Sequence, residues 1–200
     1  MLEIEPKISD FKFKFRYQKD ADFQALIEQG IGHDLSESGF CWAACTDMAL
    51  SPFIPENIRL KLIIDSTKHK NLESGVFTSK GELNRLRLND FVTVINENLS
   101  MQKLSATLNL IENQRLNDYH LELQKGRTVI LGIGNNNSGH TMVMEKVYQD
   151  GGKYIYSVWD PAIQNPTEAI LYFDNFQLYD HQLHSDTKLF PFIISVGDRE

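Results

Sequence analysis

Apolar and polar positions change rhythm near the middle of the chain. Residues 11 to 18, "FKFKFRYQ", alternate aromatic and basic side chains, and a period of two predicts a strand with one buried face. "DADFQALIEQG" predicts a short helix, with Asp20 or Asp22 as N-cap and Gly30 as C-cap. A loop of turn formers, "IGHDLSESG", follows. From Phe40 to Leu50 the chain is apolar nearly all round, with only Thr46 and Asp47 clearly polar, which predicts a buried helix. "SPFIPENIRLKLIID" predicts a break and then a helix beginning near Pro55. Residues 81 to 125 read as mostly helical, in the pieces "GELNRLRLNDFVTVINEN", "SATLNLIENQRLND" and "YHLELQKG", the last ending at Gly126.

After Gly126 the pattern becomes β-branched and alternating. "TVILGI" (128 to 133), "HTMVMEKVYQ" (140 to 149), "KYIYSVWD" (153 to 160), "EAILYFD" (168 to 174) and "KLFPFIISV" (188 to 196) read as strands. "NNNSG" and "QDGG" between them are turn material. A helical first half and an antiparallel β second half make an α+β protein. The expected organisation is one domain over residues 1–200, helical from about 20 to 126 and β from about 127 to 200, without internal repeats.

Composition narrows the function classes. The chain has 200 residues, a formal net charge of −7 and a pI near 5.4. A protein that neutralises phosphates needs a basic face, so nucleic acid is not the expected partner. No apolar run reaches the length of a membrane span, and "MLEIEPKISD" has no apolar signal core. The expectation is a cytoplasmic protein, or one exported by a dedicated machine without a cleavable signal.

The two cysteines, Cys41 and Cys45, lie in "SESGFCWAACTDMAL". Their number and spacing do not make a disulfide scaffold. A cysteine in the first turn of a helix meets unsatisfied N–H groups and the positive end of the dipole, which favour the nucleophilic thiolate. Ser36, Ser38 and Gly39 can cap and turn the chain just upstream. Cys41 has that position, while Cys45, one turn further in, is expected to be a small core residue. The alternatives are that Cys41 too is a core thiol, or that both join a histidine on zinc. Structural zinc sites want two closely spaced ligand pairs, so no metal or cofactor is expected.

Of six histidines, His140 has the informative context. It opens one strand after "NNNSG", while Asp160 closes the next in "YSVWDPA". A two-residue turn at Asp150-Gly151 sets Asp160 opposite Thr141, on the face His140 does not use. A three-residue loop centred on Asp150 pairs His140 with Asp160 directly. One centred on Gly151 makes them diagonal neighbours on one face. Strands about 4.8 Å apart allow an imidazole–carboxylate hydrogen bond in either of those last two registers. Cys41 would then attack a carbonyl carbon, His140 would move the proton, and Asp160 would fix the ring.

These residues carry a family resemblance. "CWAAC" after a small-residue turn resembles the active-site helix of papain-like cysteine peptidases, where Trp-Ala follows the nucleophile. It is closest to the bacterial branch: leader-cleaving peptidases of bacteriocin exporters and avirulence proteases of plant pathogens. "SGHTMVMEKV" is similar to that branch's base-bearing strand, "VWDPA" to the strand end bearing its third member, and "LYFDNFQLYDHQ" to its closing strand and helix. The resemblance runs from about Gly39 to about Tyr179. It implies a papain-like fold, a central active-site helix packed on a C-terminal antiparallel sheet, and catalytic Cys41, His140 and Asp160. The family usually holds an oxyanion-donating glutamine about six residues before the nucleophile. Leu35 stands there, leaving Gln29, Gln18 and the Cys41 backbone N–H as candidate donors.

The expected function is a cysteine protease acting on a protein or peptide substrate, with a bacterial effector as the setting. The same triad would serve a glutamine deamidase or transglutaminase. A catalytically silent papain-like binding module is the reading from another class.

Overall fold

A computed structural model of the chain describes residues 2–4, 14–35, 37–70, 84–99, 104–110, 121–134, 139–150, 153–164, 168–174, 177–179, 188–189 and 192–198. The expected "FKFKFRYQ" strand lies partly outside them, and its described part, 14–18, is irregular and ends in a turn at Gln18. Both parities of this segment are engaged. Phe15 packs on the main core and on Trp159, with ring centroids 5.8 Å apart. Arg16, its neighbour, bonds Asp47 and Glu56. Arg16 shares its parity with exposed Lys14 but is tied to acidic partners on α2 and α3, and the segment runs irregularly.

Helix α1 (Ala21–Ile31) starts where Asp20 accepts a hydrogen bond from the Phe23 N–H. It runs past Gly30 and stops at Gly32, whose φ of 89° is the left-handed cap. Gly30 serves packing instead: a Cβ there would lie 2.5 Å from Ile64 Cδ1. Helix α2 (Glu37–Leu50) follows, then α3 (Glu56–Lys70), directly after Pro55. Helix α4 (Arg85–Leu99) is capped by Asn84, whose side-chain oxygen accepts from the N–H groups of Leu86 and Arg87.

The described part of the expected helix over "SATLNLIENQRLND", residues 105–110, is not helical. Leu104–Leu110 is strand β2. Leu, Ala, Leu and Leu occupy its even positions and Ser, Thr and Asn its odd ones, a clean period of two that outweighs the helical i, i+4 leucine pair. Residues 111–120 lie outside the description, and 121–124 form a single helical turn.

The remaining strands are β1 (Leu2–Ile4), β3 (Thr128–Gly134), β4 (Gly139–Asp150), β5 (Lys153–Trp159), β6 (Glu168–Asp174), β7 (Gln177–Tyr179), β8 (Lys188–Leu189) and β9 (Phe192–Asp198). All pairings are antiparallel, in the order β2-β9-β3-β4-β5-β6-β7, with β1 on β4 and β8 on β3. The molecule is α+β, with its helices in the first half and β1 and β2 joining a sheet drawn mainly from the second. Among the described residues no helix is long and apolar enough to cross a membrane.

Helix α2 is apolar all round because it is covered all round. Trp42, Cys45, Met48 and Ala49 face Phe91 of α4 and the sheet residues Ile130, Val143 and Ile194. Phe40, Ala43 and Ala44 face Phe23 and Ile27 of α1 and Ile63 of α3. The buried carboxylate of Asp47 accepts from Arg59 Nε at 2.7 Å and Arg16 Nε at 2.9 Å. Arg59 also donates to the Ile54 carbonyl, closing the turn between α2 and α3. A guanidinium 1 % exposed is tolerable only with such partners. Asp47→Ala should therefore cost about 3–5 kcal/mol in urea unfolding. Asp47→Leu with Arg59→Met should recover most of it, because the uncompensated charge is gone.

Candidate active site

Strand β4 brings His140 to one end of the sheet, and β5 delivers Asp160 to the same end. Asp150 pairs with Lys153, so Asp150 is a strand residue and the expected three-residue loop that includes it is not formed. Residues 151–152 lie outside the description. Carried straight on, that register would set Asp160 opposite Val143, on the face His140 does not use. The ladder instead shifts by one: Lys146 pairs with Ser157 and Met144 with Val158, leaving Glu145 unpaired in a β-bulge. Beyond the bulge the pairing is the diagonal register, and His140 and Asp160 share a face.

The carboxylate then meets the ring. His140 Nε2 lies 2.7 Å from Asp160 Oδ1, which also accepts from the Ala162 N–H at 2.8 Å, an Asx-type turn at the Asp-Pro step. The other nitrogen, Nδ1, lies 3.0 Å from Cys41 Sγ. The ring thus gives Nδ1 to the sulfur and Nε2 to the carboxylate, the reverse of the serine-protease arrangement. All three residues expected to act together are in contact.

Two expectations about Cys41 need correction. Helix α2 begins at Glu37, a full turn earlier, so Cys41 is not in the first turn and its N–H falls within the helical ladder. Ser38 and Gly39 lie inside the helix, past the N-cap position; Ser36 is outside the described residues. The helix starts early because Gly39 and Phe40 are drawn into the same buried interface as the rest of α2. The sulfur itself is buried. Cys41 is 2 % exposed, and the openness of the site lies at His140 and Asp160, whose side chains are 24 % and 17 % exposed.

Burial alone would push the Cys41 thiol up. The hydrogen bond of Cys45, the charge and hydrogen bond of His140 and the hydrogen bond of Thr141 outweigh it and hold the thiol well below its ordinary range. Cys45, buried and beside the Cys41 charge, is pushed well above its own. For His140 burial is overcome by the Cys41 thiolate and Asp160, which hold the imidazolium well above its usual value. For Asp160 the hydrogen bond and charge of His140 overcome burial and lower the carboxyl. These directions favour a thiolate–imidazolium pair backed by a carboxylate, with the groups titrating together.

Of the candidate oxyanion donors, Gln29 is exposed on α1; Leu35, at the position of the family's glutamine, is buried among residues of α1 and α2. Gln18 is placed differently. Its N–H donates to the carbonyl of Pro161, next to Asp160, at 2.9 Å. Its side chain is buried and its Oε1 has no hydrogen-bond partner. Nothing in the sequence spacing singled out Thr141, which touches the sulfur directly; its only signal was its place after His140. Among the described residues, no group of three or more His, Cys, Asp or Glu is disposed to hold a metal ion.

Iodoacetamide should label one thiol, Cys41, at a pH well under the ordinary thiol value of about 8.5. Cys45 should stay unlabelled by peptide mapping, since it is buried and held protonated. His140→Ala should move the labelling profile up toward the ordinary range. No family model, curated protein or solved structure matches this chain, so its chemistry is read from the geometry of these side chains.

Proposed function

We propose that this protein is a papain-like cysteine protease that cleaves peptide bonds through a thioester on Cys41. One observation carries the reading: a free thiol 3.0 Å from an imidazole whose other nitrogen is 2.7 Å from a carboxylate. A core thiol has no need of such partners, and each group is pushed toward the protonation state the reaction uses.

The Cys41 proton rests on His140 Nδ1, and the thiolate attacks the substrate carbonyl carbon. The C–N bond breaks as the His140 proton passes to the amine, leaving an acyl group on sulfur. Water then attacks the thioester, giving its proton to His140, and the C–S bond breaks to release the carboxylic acid. Asp160 holds the ring so that Nδ1 faces the sulfur throughout. The Gln18 carboxamide, whose residue is tied through its main-chain N–H to the Pro161 carbonyl beside Asp160, is the side chain we assign to the developing oxyanion. The acidic chain as a whole fits a peptide or protein partner better than a polyanion.

The deciding experiment incubates candidate protein substrates with wild type and Cys41→Ala and looks by mass spectrometry for new peptide termini. Ammonia release without new termini would transfer the same triad to glutamine amides. Cys41→Ala and His140→Ala should abolish turnover. Asp160→Asn should lower kcat on the order of 10⁴-fold if serine-protease behaviour transfers, and Gln18→Ala about 10²–10³-fold. Turnover against pH should be bell-shaped. The acid limb follows formation of the thiolate, below the ordinary thiol range; the alkaline limb follows loss of the imidazolium proton, above the ordinary imidazole range.

A further inference from the structure

Because α2 begins a turn before Cys41, the helix N-terminus does not supply donors to the sulfur, yet the sulfur is buried and has to carry charge. The residue after His140 fills that place. Thr141 is fully buried. Its backbone N–H donates to Cys41 Sγ at 3.1 Å, and its hydroxyl lies 2.8 Å from the same atom. Its carbonyl oxygen, 3.5 Å away, stands where it accepts from the S–H of the neutral thiol. Its cross-strand partner on β3 is Gly132, which brings no side chain against the hydroxyl.

We propose that Thr141 is a catalytic residue of this site, whose hydroxyl and backbone N–H hold the Cys41 sulfur as a thiolate before substrate arrives. The proposal rests on the reading of Cys41 as the nucleophile. With His140 Nδ1–H, the two Thr141 donors give a buried anion three hydrogen bonds, and bonds to an ionised partner are about twice as strong as neutral ones. When the thioester forms the sulfur loses its charge, and the hydroxyl no longer has an anion to serve. The sulfur lies against the main chain at 141, which is why the side chains of two successive strand residues both reach it. The titratable groups facing it are His140 from β4 and Cys45 from α2, with Asp160 behind the imidazole.

A valine fills nearly the same space and lacks the hydroxyl, so Thr141→Val isolates that donor. The readout is the iodoacetamide rate at Cys41 against pH, which needs no substrate. Thr141→Val should move the midpoint up by about one to two pH units, the worth of one hydrogen bond to a charged group. The plateau above it should rise about three- to tenfold, because a more basic thiolate is a better nucleophile. Thr141→Ser should keep the wild-type midpoint. A damaged fold would lower the plateau instead of raising it, and circular dichroism checks each variant. If the wild type shows a depressed midpoint and Thr141→Val leaves it in place, the Thr141 proposal is overturned while the nucleophile reading stands. If Thr141→Val fails to fold, a midpoint raised in Thr141→Ser as well overturns it. If the wild-type thiol titrates in the ordinary range, the nucleophile reading fails and takes the proposal with it.

Discussion

Strand β4 carries one residue more than its partner between the hairpin turn and the site, and that surplus at Glu145 decides where the imidazole and the carboxylate meet. A pleated strand permits two outcomes, same face or opposite face, and a single unpaired residue converts one into the other. Everything chemical in the molecule lies downstream of that parity. Without a carboxylate on its face, the ring has no fixed tautomer; without a fixed ring, the sulfur has no oriented base. The bulge is therefore not a defect in the sheet but the feature that sets the distance of 2.7 Å between His140 and Asp160.

Helix α2 imposes the second constraint. It is buried on every side, so its sulfur sits in a medium that resists charge. The protein meets that resistance with neighbours. One thiol of the pair is driven toward its anion and the other, a turn away, is driven from it. Two cysteines four residues apart on one helix are thus pushed in opposite directions, and only Cys41 lies against the imidazole. The same helix carries Asp47, which draws Arg16 and Arg59 together; Arg16 belongs to the segment whose Gln18 bonds Pro161, so the charge on α2 also anchors the segment that reaches the residue after Asp160.

Much of this was legible in the residues. All-round apolar character marked α2 as central, β-branched alternation marked the second-half strands, and the His140–Asp160 spacing allowed a shared face. The errors have physical causes. β2 was missed because Leu104 and Leu108 also fit a helix, and only the intervening Ser105, Thr107 and Asn109 tell the two periods apart. The N-terminal segment read as a strand because alternation says which side chains differ, not whether both kinds find partners. Gly30 was read as a cap because a glycine required by a close helix neighbour looks the same in sequence as one required by φ. The bulge could not be read, since nothing local to Glu145 announces a register shift. Thr141 could not be read either: its role comes from α2 lying across it, not from its own strand.

The sulfur's partners on β4 lie 99 and 100 residues further along the chain. A chain still emerging from the ribosome, or one that has lost the β4–β5 ladder, carries an ordinary thiol with no base beside it. Contacts of such long span close late in folding, because the loop entropy must be met before they form. The reactive sulfur is thus a property of the finished tertiary structure alone. The contacts that give Cys41 a base are therefore among the last that the chain can acquire.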